Sequence, residues 1–560
     1  MSEQLLEQAR AWAAEDPDAV TRAELEQVIS AVGSGDTSAA ADLADRFSGT
    51  LEFGTAGLRG ALGAGPNRMN RIVVIRAAAG LAAYLKANVV GADDAVVIGY
   101  DARHNSDVFA RDTAEVMTGA GLRALLLPGQ LPTPLLAFAI RKLGCVAGVM
   151  VTASHNPPQD NGYKVYLGDG SQIVPPADVE IAERIAAVGA LTDVPRGAPG
   201  EQLDDTIVRD YLASVGHVID PGPDPRRADL RLVYTPLHGV GNSSVLSVLR
   251  AAGFTAPSVV SEQQEPDPEF STVAFPNPEE PGAMDLAMDL GTEVDADLVV
   301  ANDPDADRCA AAVPGPHGWR MLRGDEVGAL LGDHLLGSGK QGVYACSIVS
   351  SSLLGKLAAA AGQEYAETLT GFKWIGRLEG LAFGYEEALG YCVDPAQVKD
   401  KDGVSALLLL CEIAARAKAE GRTLTDLLDD IAVRHGLHAT DQLSARVSDL
   451  AEIGVAMERL RSNPPTSLGD LAVESYDDLS LGSAALSPTD GLRYHLADGA
   501  RVIVRPSGTE PKIKCYLEVV VPVESADSPE AVRDAVDAAR IVASGRLGAL
   551  RNGIKEAAGI

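Results

Sequence analysis

No C-x-x-C pair occurs in this chain. Its six cysteines, Cys145, Cys309, Cys346, Cys392, Cys411 and Cys515, are scattered. This spacing points to reduced thiols in a cytosolic protein rather than a disulfide framework. Basic residues are also scarce: 47 Lys and Arg face 78 Asp and Glu, a formal net charge of -31. A field of that sign excludes nonspecific nucleic-acid binding and docking on anionic membrane surfaces. No apolar run is long enough to span a bilayer. The start, Met1-Ser2-Glu3-Gln4, turns acidic and lacks the basic n-region of a secretory leader. A cytoplasmic protein is expected. There is no strict short-period repeat. What is present is an apolar fraction of 46%, ordinary for a globular protein, spread over 560 residues. That length is too great for one core, so three to five domains are expected.

Hydrophobic spacing predicts helix over residues 3–48, with Leu5, Leu6, Ala9 and Trp12 on one face. It then predicts alternating elements: helix 71–87, strand 96–100, helix 109–120, strand 122–127, helix 134–143 and strand 145–151. Such alternation implies a mainly parallel α/β sheet. The pattern restarts with helix 207–219, strand 230–234, a helix to residue 252 and strand 296–301. A third unit starts near residue 318, with helix 325–336, strand 342–348 and helix 353–361. The last segment differs, with strands at 443–448 and 501–504 and a helix at 529–541, and reads as α+β. A Pro/Gly-rich stretch at 194–200 marks the first boundary. The expected domains are 1–200, 201–317, 318–438 and 439–560.

Chemistry concentrates in a few stretches. Thr152-Ala153-Ser154-His155-Asn156-Pro157 places a serine beside a histidine on a loop after an apolar strand. Lys164 follows on a second short strand. Ser154 could carry a phosphate whose charge His155 and Lys164 offset. As a lone pair, Ser-His reads more simply as a turn cap. Asp303-Pro304-Asp305-Ala306-Asp307-Arg308 follows another strand. Alternate carboxylates there could converge on one hard cation, and oxygen ligation suits magnesium. Arg308 could reach a phosphate on Ser154. Arg505-Pro506-Ser507-Gly508-Thr509 offers an arginine, two hydroxyls and exposed backbone N–H groups as a phosphate cradle. A hairpin turn explains it equally well. Gly384-Tyr385-Glu386-Glu387-Ala388-Leu389-Gly390 presents paired carboxylates that could accept bonds from sugar hydroxyls. Gly371, Lys373 and Lys401 flank it, with Asp402 as N-cap of a helix from about Val404. Gly337-Ser338-Gly339-Lys340 is not a phosphate-binding loop, because Gln341 stands where Ser or Thr is needed. Gly-x-Ser-x-Gly hydrolase spacing is absent around Ser154.

Together these stretches resemble the α-D-phosphohexomutase superfamily of phosphoglucomutases and phosphomannomutases, over nearly the whole chain and in the family's order. The resemblance implies three related α/β domains plus a C-terminal α+β domain around a central cleft. It implies a phosphoserine at Ser154, Mg²⁺ held by Ser154, Asp303, Asp305 and Asp307, and a sugar bisphosphate as intermediate and activator. Arg59 and Lys164 match positions beside the phosphoserine, and Lys401 is preferred to His155 as general acid/base. Gly371, Lys373, Glu386, Glu387, Arg308, Arg505, Ser507, Gly508 and Thr509 are the implied substrate contacts. The implied reaction interconverts hexose 1-phosphate and hexose 6-phosphate, of glucose or mannose. Ala388 stands where many members have serine, a form similar to the phosphopentomutase and bisphosphate-synthase branch. Pentose phosphate mutase and glucose 1,6-bisphosphate synthase are therefore alternatives. A catalytically silent phosphosugar-binding protein is the reading from another class. The partner expected is a small sugar phosphate, and the oligomeric state is left open.

Overall fold

A computed structural model describes residues 3–89, 94–222, 224–446, 450–484, 486–507, 512–525 and 528–560. The chain forms two compact units. One is Met1–Met321 with Gly390–Glu412, the other Leu322–Leu389 with Ile413–Ile560.

In the first unit, three helices lead in, Glu3–Glu15, Ala19–Gly33 and Thr37–Arg46, where the sequence pattern predicted one helical stretch. Asp18 and Asp36 break it, each accepting bonds from backbone N–H groups of the helix that follows. The first sheet is built from β1 (Leu58–Ala61), β2 (Ala95–Tyr100), β3 (Arg123–Gln130), β4 (Ala147–Val151), β5 (Asp160–Leu167) and β6 (Glu201–Gln202), in the order β1-β5-β4-β2-β3-β6. Its centre, β4-β2-β3, is parallel, as the alternation predicts. Its β1-β5-β4 side is antiparallel, because the short β4–β5 connection makes a hairpin rather than a helical crossover.

The second sheet uses β7 (Leu232–Thr235), β8 (Ser258–Val259), β9 (Leu298–Ala301), β10 (Ala310–Gly315) and β11 (Gly318–Met321), in the order β11-β10-β9-β7-β8. The plan repeats: β7 is parallel to β8 and β9, and β10 returns antiparallel to β9. Because β11 pairs with β10, the boundary expected at residue 317/318 falls inside a hairpin. In the second unit, β12 (Val343–Ser347) lies between β13 (Glu364–Thr368) and β14 (Leu381–Glu386), parallel to both. β15 (Gly390–Cys392) follows in the chain and belongs to the first unit.

This repetition positions the functional loops. The serine loop leaves β4, the aspartate loop leaves β9 and the paired-glutamate loop leaves β14, the corresponding strand of each sheet. Each loop also holds a non-glycine residue in the left-handed region: Ser154 (φ 52), Ala306 (φ 52) and Leu389 (φ 64). The shared backbone device supports common descent of the three α/β sheets more directly than any sequence repeat.

The C-terminal segment is α+β. Its strands β16 (Leu437–Arg446), β17 (Ser467–Leu468), β18 (Leu471–Asp478), β19 (Leu492–Leu496), β20 (Arg501–Pro506) and β21 (Lys512–Val521) run in the order β16-β21-β20-β19-β18-β17. β16 is longer than predicted at its start, and residues 447–449 lie outside the described residues. The last helix, Pro529–Ala558, extends well past the predicted residue 541. Ile541 and Val542 are exposed, so the apolar pattern falters there, while Val536, Ala539, Ala543, Leu550 and Ile554 keep one buried face. Among the described residues no helix is long and apolar enough to cross a membrane.

Candidate active site

The β4–β5 hairpin brings Lys164 opposite Met150, so the lysine returns beside the loop that carries Ser154. Lys164 lies on β5, a strand as expected, and Arg59 on β1. Ser154 Oγ donates to Asp303 Oδ2 at 2.8 Å and lies 3.1 Å from His155 Nδ1. Lys164 Nζ donates to Asp305 Oδ2 at 2.7 Å and to Asp307 Oδ2 at 3.0 Å. Lys401 Nζ is 3.3 Å from Asp307 Oδ2. Arg59 reaches the loop through Asn156 Oδ1, at 3.1 Å. Arg308 is less tightly placed, about 4 Å from Asp303, Asp307 and Glu279. The serine, the three aspartates and four of the predicted cations are thus brought together within the first unit.

Local packing explains Lys401. Asp402 caps the helix Gly403–Ala419, as the sequence predicts, accepting from Val404 N and Ser405 N. A Cβ on Gly403 would lie 2.2 Å from the Arg308 carbonyl, so glycine lets that helix start against the aspartate loop. A Cβ on Gly390 would lie 2.3 Å from Lys401 Cδ, in the path of that side chain toward Asp307.

The aspartate cluster fits a cation. Asp303, Asp305 and Asp307 are all buried, and one ligand oxygen from each lies within 4.8 Å of the others. Asp305 Oδ1 and Asp307 Oδ1 are buried without a hydrogen-bond partner. Two buried acceptors left over after both lysines have bonded are what an oxygen-ligated divalent ion needs. Electrostatics agree. Burial, then the charges of Asp305 and Asp307, pushes the Asp303 carboxyl well above its ordinary value. Burial acts the same way on Asp307, but Lys164, Lys401 and Arg308 outweigh it and hold that carboxyl low. Burial, with Arg308 and Arg59 nearby, holds the His155 imidazole well below its ordinary value, so it is neutral at pH 7.

The second unit carries the other predicted residues. Glu386 ends β14, and its Oε1 accepts from Gly371 N at 2.7 Å. Lys373 lies on the short helix Phe372–Ile375 that follows Gly371. Glu387 Oε2 accepts from Ser347 Oγ at 3.0 Å and Ser350 Oγ at 3.1 Å. The two carboxylates therefore already brace neighbouring segments, at Gly371 and at Ser347 and Ser350, beyond the sugar-binding role expected of them. Arg505 sits on β20; burial and the Glu387 charge push the Tyr516 phenol up, and the Arg505 charge opposes them. Ser507 N donates to Lys512 O at 2.8 Å. Gly508 and Thr509 lie outside the described residues.

Burial, then Glu386 and Asp325, raises Glu387 from 4.5 to about 7. The folded chain therefore binds this proton more tightly than the unfolded chain. The group's contribution to stability is greatest below about pH 4.5 and is lost as pH rises through about 7. Glu387→Gln removes that loss. The thermal midpoint of the variant, measured against wild type, is expected to gain a few degrees between pH 5 and pH 8, or about 1–3 kcal/mol. A pH-independent difference between the two proteins would show that Glu387 is ionised throughout.

Sequence reasoning missed Thr133, Ser347, Ser350 and Arg103. Thr133 donates to Asp305 through both its hydroxyl and its backbone N–H. Only Pro134, one residue on, signalled a helix start there.

Comparison with known proteins agrees with this geometry. Four family domains match in order: phosphoglucomutase/phosphomannomutase alpha/beta/alpha domains I, II and III at residues 50–191, 209–316 and 323–434, and the C-terminal domain at 444–538. A Haemophilus influenzae protein named "Probable phosphomannomutase" is 49% identical over 458 residues, covering 80% of this chain and 93% of that protein. A Pongo abelii phosphopentomutase is 36% identical, covering 87% of each. A Thermus thermophilus crystal structure named for phosphomannomutase superposes with a TM-score of 0.68 at 27% identity, covering 89% of this chain and all of that one. The chain belongs to the phosphoglucomutase/phosphomannomutase family and is an enzyme, a phosphosugar mutase.

Proposed function

We propose that the enzyme interconverts hexose 1-phosphate and hexose 6-phosphate, of glucose or mannose, through a phosphoserine at Ser154 and a sugar bisphosphate. The observation that carries this reading is the Ser154 Oγ bond to Asp303, inside a buried cluster of three aspartates and two lysines. Charge supports it. Lys164, Lys401 and Arg308 offset three carboxylates; a phosphoryl group on Ser154 adds nearly two negative charges, which a divalent cation would balance. Mg²⁺, held by Ser154, Asp303, Asp305 and Asp307, would supply Lewis-acid stabilisation of charge on the phosphoryl oxygens.

In the forward half, the Ser154 Oγ–P bond breaks as a sugar hydroxyl oxygen bonds to phosphorus. The hydroxyl proton goes to a general base, for which Lys401 is our choice, acting as the neutral amine after it has released its own proton. His155 faces the serine oxygen instead, and Arg59 and Lys164 flank the serine loop. In the return half, the other phosphate of the bisphosphate passes back to Ser154. Gly371, Lys373, Glu386, Glu387 and Arg308 would hold the sugar phosphate. Arg505, Ser507, Gly508 and Thr509 would hold the phosphate not being transferred. A sugar bisphosphate would serve as activator by phosphorylating Ser154. We place the domains at 1–202, 203–321, 322–436 and 437–560, moving the boundaries so that β6 stays with the first sheet, β11 with the second and β16 with the last, and the protein in the cytoplasm.

A pentose reading is favoured by one observation, Ala388 in the sugar loop, together with a relative named phosphopentomutase. A missing hydroxyl can shift selectivity by orders of magnitude. The catalytically silent alternative is set aside by the mutase family. Turnover with Mg²⁺ and a trace of glucose 1,6-bisphosphate, on glucose 1-phosphate, mannose 1-phosphate and ribose 1-phosphate, tests the substrate. A hexose is expected to give a kcat/KM at least about tenfold above ribose 1-phosphate. The reverse order would assign the enzyme to pentose phosphates. Bisphosphate accumulation without isomerisation would make it a bisphosphate synthase.

A further inference from the structure

The geometry points to Arg103 as the positioning residue of the nucleophile turn, an inference that rests on Ser154 as the phosphoryl carrier. Within seven residues, four carbonyl oxygens turn toward one guanidinium. Arg103 Nη1 donates to Pro157 O at 2.8 Å and Asp160 O at 3.1 Å. Nη2 donates to Ser154 O at 2.7 Å and to Asn156 O. The Arg103 residue is 3% exposed, and its Cζ stands 4.8 Å from the centre of the buried Phe270 ring. Asp101 fixes the other end: its Oδ1 accepts from Arg103 N at 3.0 Å and Ser106 Oγ at 2.7 Å. Its Oδ2 lies 3.5 Å from Arg103 Nε.

Converging carbonyl dipoles repel unless a cation sits among them. Ser154 adds a local cost, because its left-handed backbone brings Cβ against the following carbonyl. Local hydrogen bonds tie the turn's amides, Ser154 N to Thr152 Oγ1, Asn156 N to Ala153 O and Asp160 N to Pro157 O, but the Ser154 and Asn156 carbonyls are taken up by Arg103. Arg103 is thus what holds the turn in the form that aims Ser154 Oγ at Asp303. A planar fork with donors on both sides can serve four carbonyls, whereas a lysine brings three donors from one point. Arg103 touches no reacting atom, so its removal misaims the nucleophile without changing how a sugar phosphate is held.

The test is Arg103→Lys in the full chain with Mg²⁺. Phosphate uptake from glucose 1,6-bisphosphate is followed by intact mass, beside kcat and KM. Uptake and kcat are expected to fall about 10²-fold, with KM within about threefold of wild type. Uptake at the wild-type rate in the folded variant overturns the inference. So does a fall explained wholly by a smaller fraction of competent molecules, seen as a lower amplitude at an unchanged rate constant. If Arg103→Lys does not fold, Phe270→Leu decides. It keeps all four hydrogen bonds but loosens the guanidinium, so severalfold slower uptake supports the assignment and a wild-type rate rejects it. Ser154→Ala run alongside separates the two ideas: uptake by that variant would reject the nucleophile itself, while its inertness with a normal Arg103→Lys rejects only the positioning role.

Discussion

Ser154→Ala is expected to lose mutase turnover by at least about 10⁴-fold and to accept no phosphoryl group. No neighbouring hydroxyl can take its place. Thr152 Oγ1 is occupied by Ser154 N, and Thr133 Oγ1 donates to Asp305. Stability is expected to change little. Alanine adopts the φ of 52° at about the cost that serine does, and Asp303 keeps its bond from Arg308 N. The measurement pairs turnover with intact mass after incubation with glucose 1,6-bisphosphate. Turnover near the native level, or a phosphate still on the variant, would end the phosphoserine scheme.

The second large effect is expected from Asp303→Asn. A carboxamide can keep the acceptor that Arg308 N uses at 3.0 Å, but it removes one negative charge from the cluster. We expect kcat to fall about 10²- to 10³-fold. The rise in thermal midpoint that Mg²⁺ gives the wild type should vanish, because only ions that bind the folded chain stabilise it. In chelator the order reverses. The variant should be at least as stable as wild type, since it relieves repulsion among three buried carboxylates. A midpoint that still climbs with Mg²⁺ as in wild type would remove Asp303 from the ligand set.

Much of this site was legible because its residues cluster in short stretches. Thr152–Pro157 and Asp303–Arg308 each carry several chemical groups within six positions, and each follows an apolar strand that can be read by period. The serine, the aspartates and Lys164 needed no tertiary information to be singled out. Lys401 was legible through its neighbour, because Asp402 is a recognisable N-cap. Arg103 was not. It lies 51 to 57 residues from the carbonyls it binds and has no special spacing of its own. Ser347 and Ser350 were hidden for the same reason, since ordinary serines gain meaning only from the carboxylate that folds onto them.

Element types were read better than element ends. The helix over 71–87 is Arg71–Asn88, and the strand over 96–100 is Ala95–Tyr100. Errors came where local pattern and tertiary pairing part. Residues 318–321 have no local sign of belonging to the second sheet, yet they pair with β10.

The sequence by itself determined the order of the elements, the α/β class, the four motifs and the family they resemble. Periodicity and turn chemistry are local, and the motifs are contiguous. Only the tertiary structure decided which charges meet. It set Lys164 on Asp305 and Asp307, brought Lys401 to Asp307, closed Arg103 around the serine turn and turned Glu387 onto two serines. The physical reason is the same in each case. These contacts join residues far apart in the chain, and their strength comes from burial, which no short stretch of sequence can express.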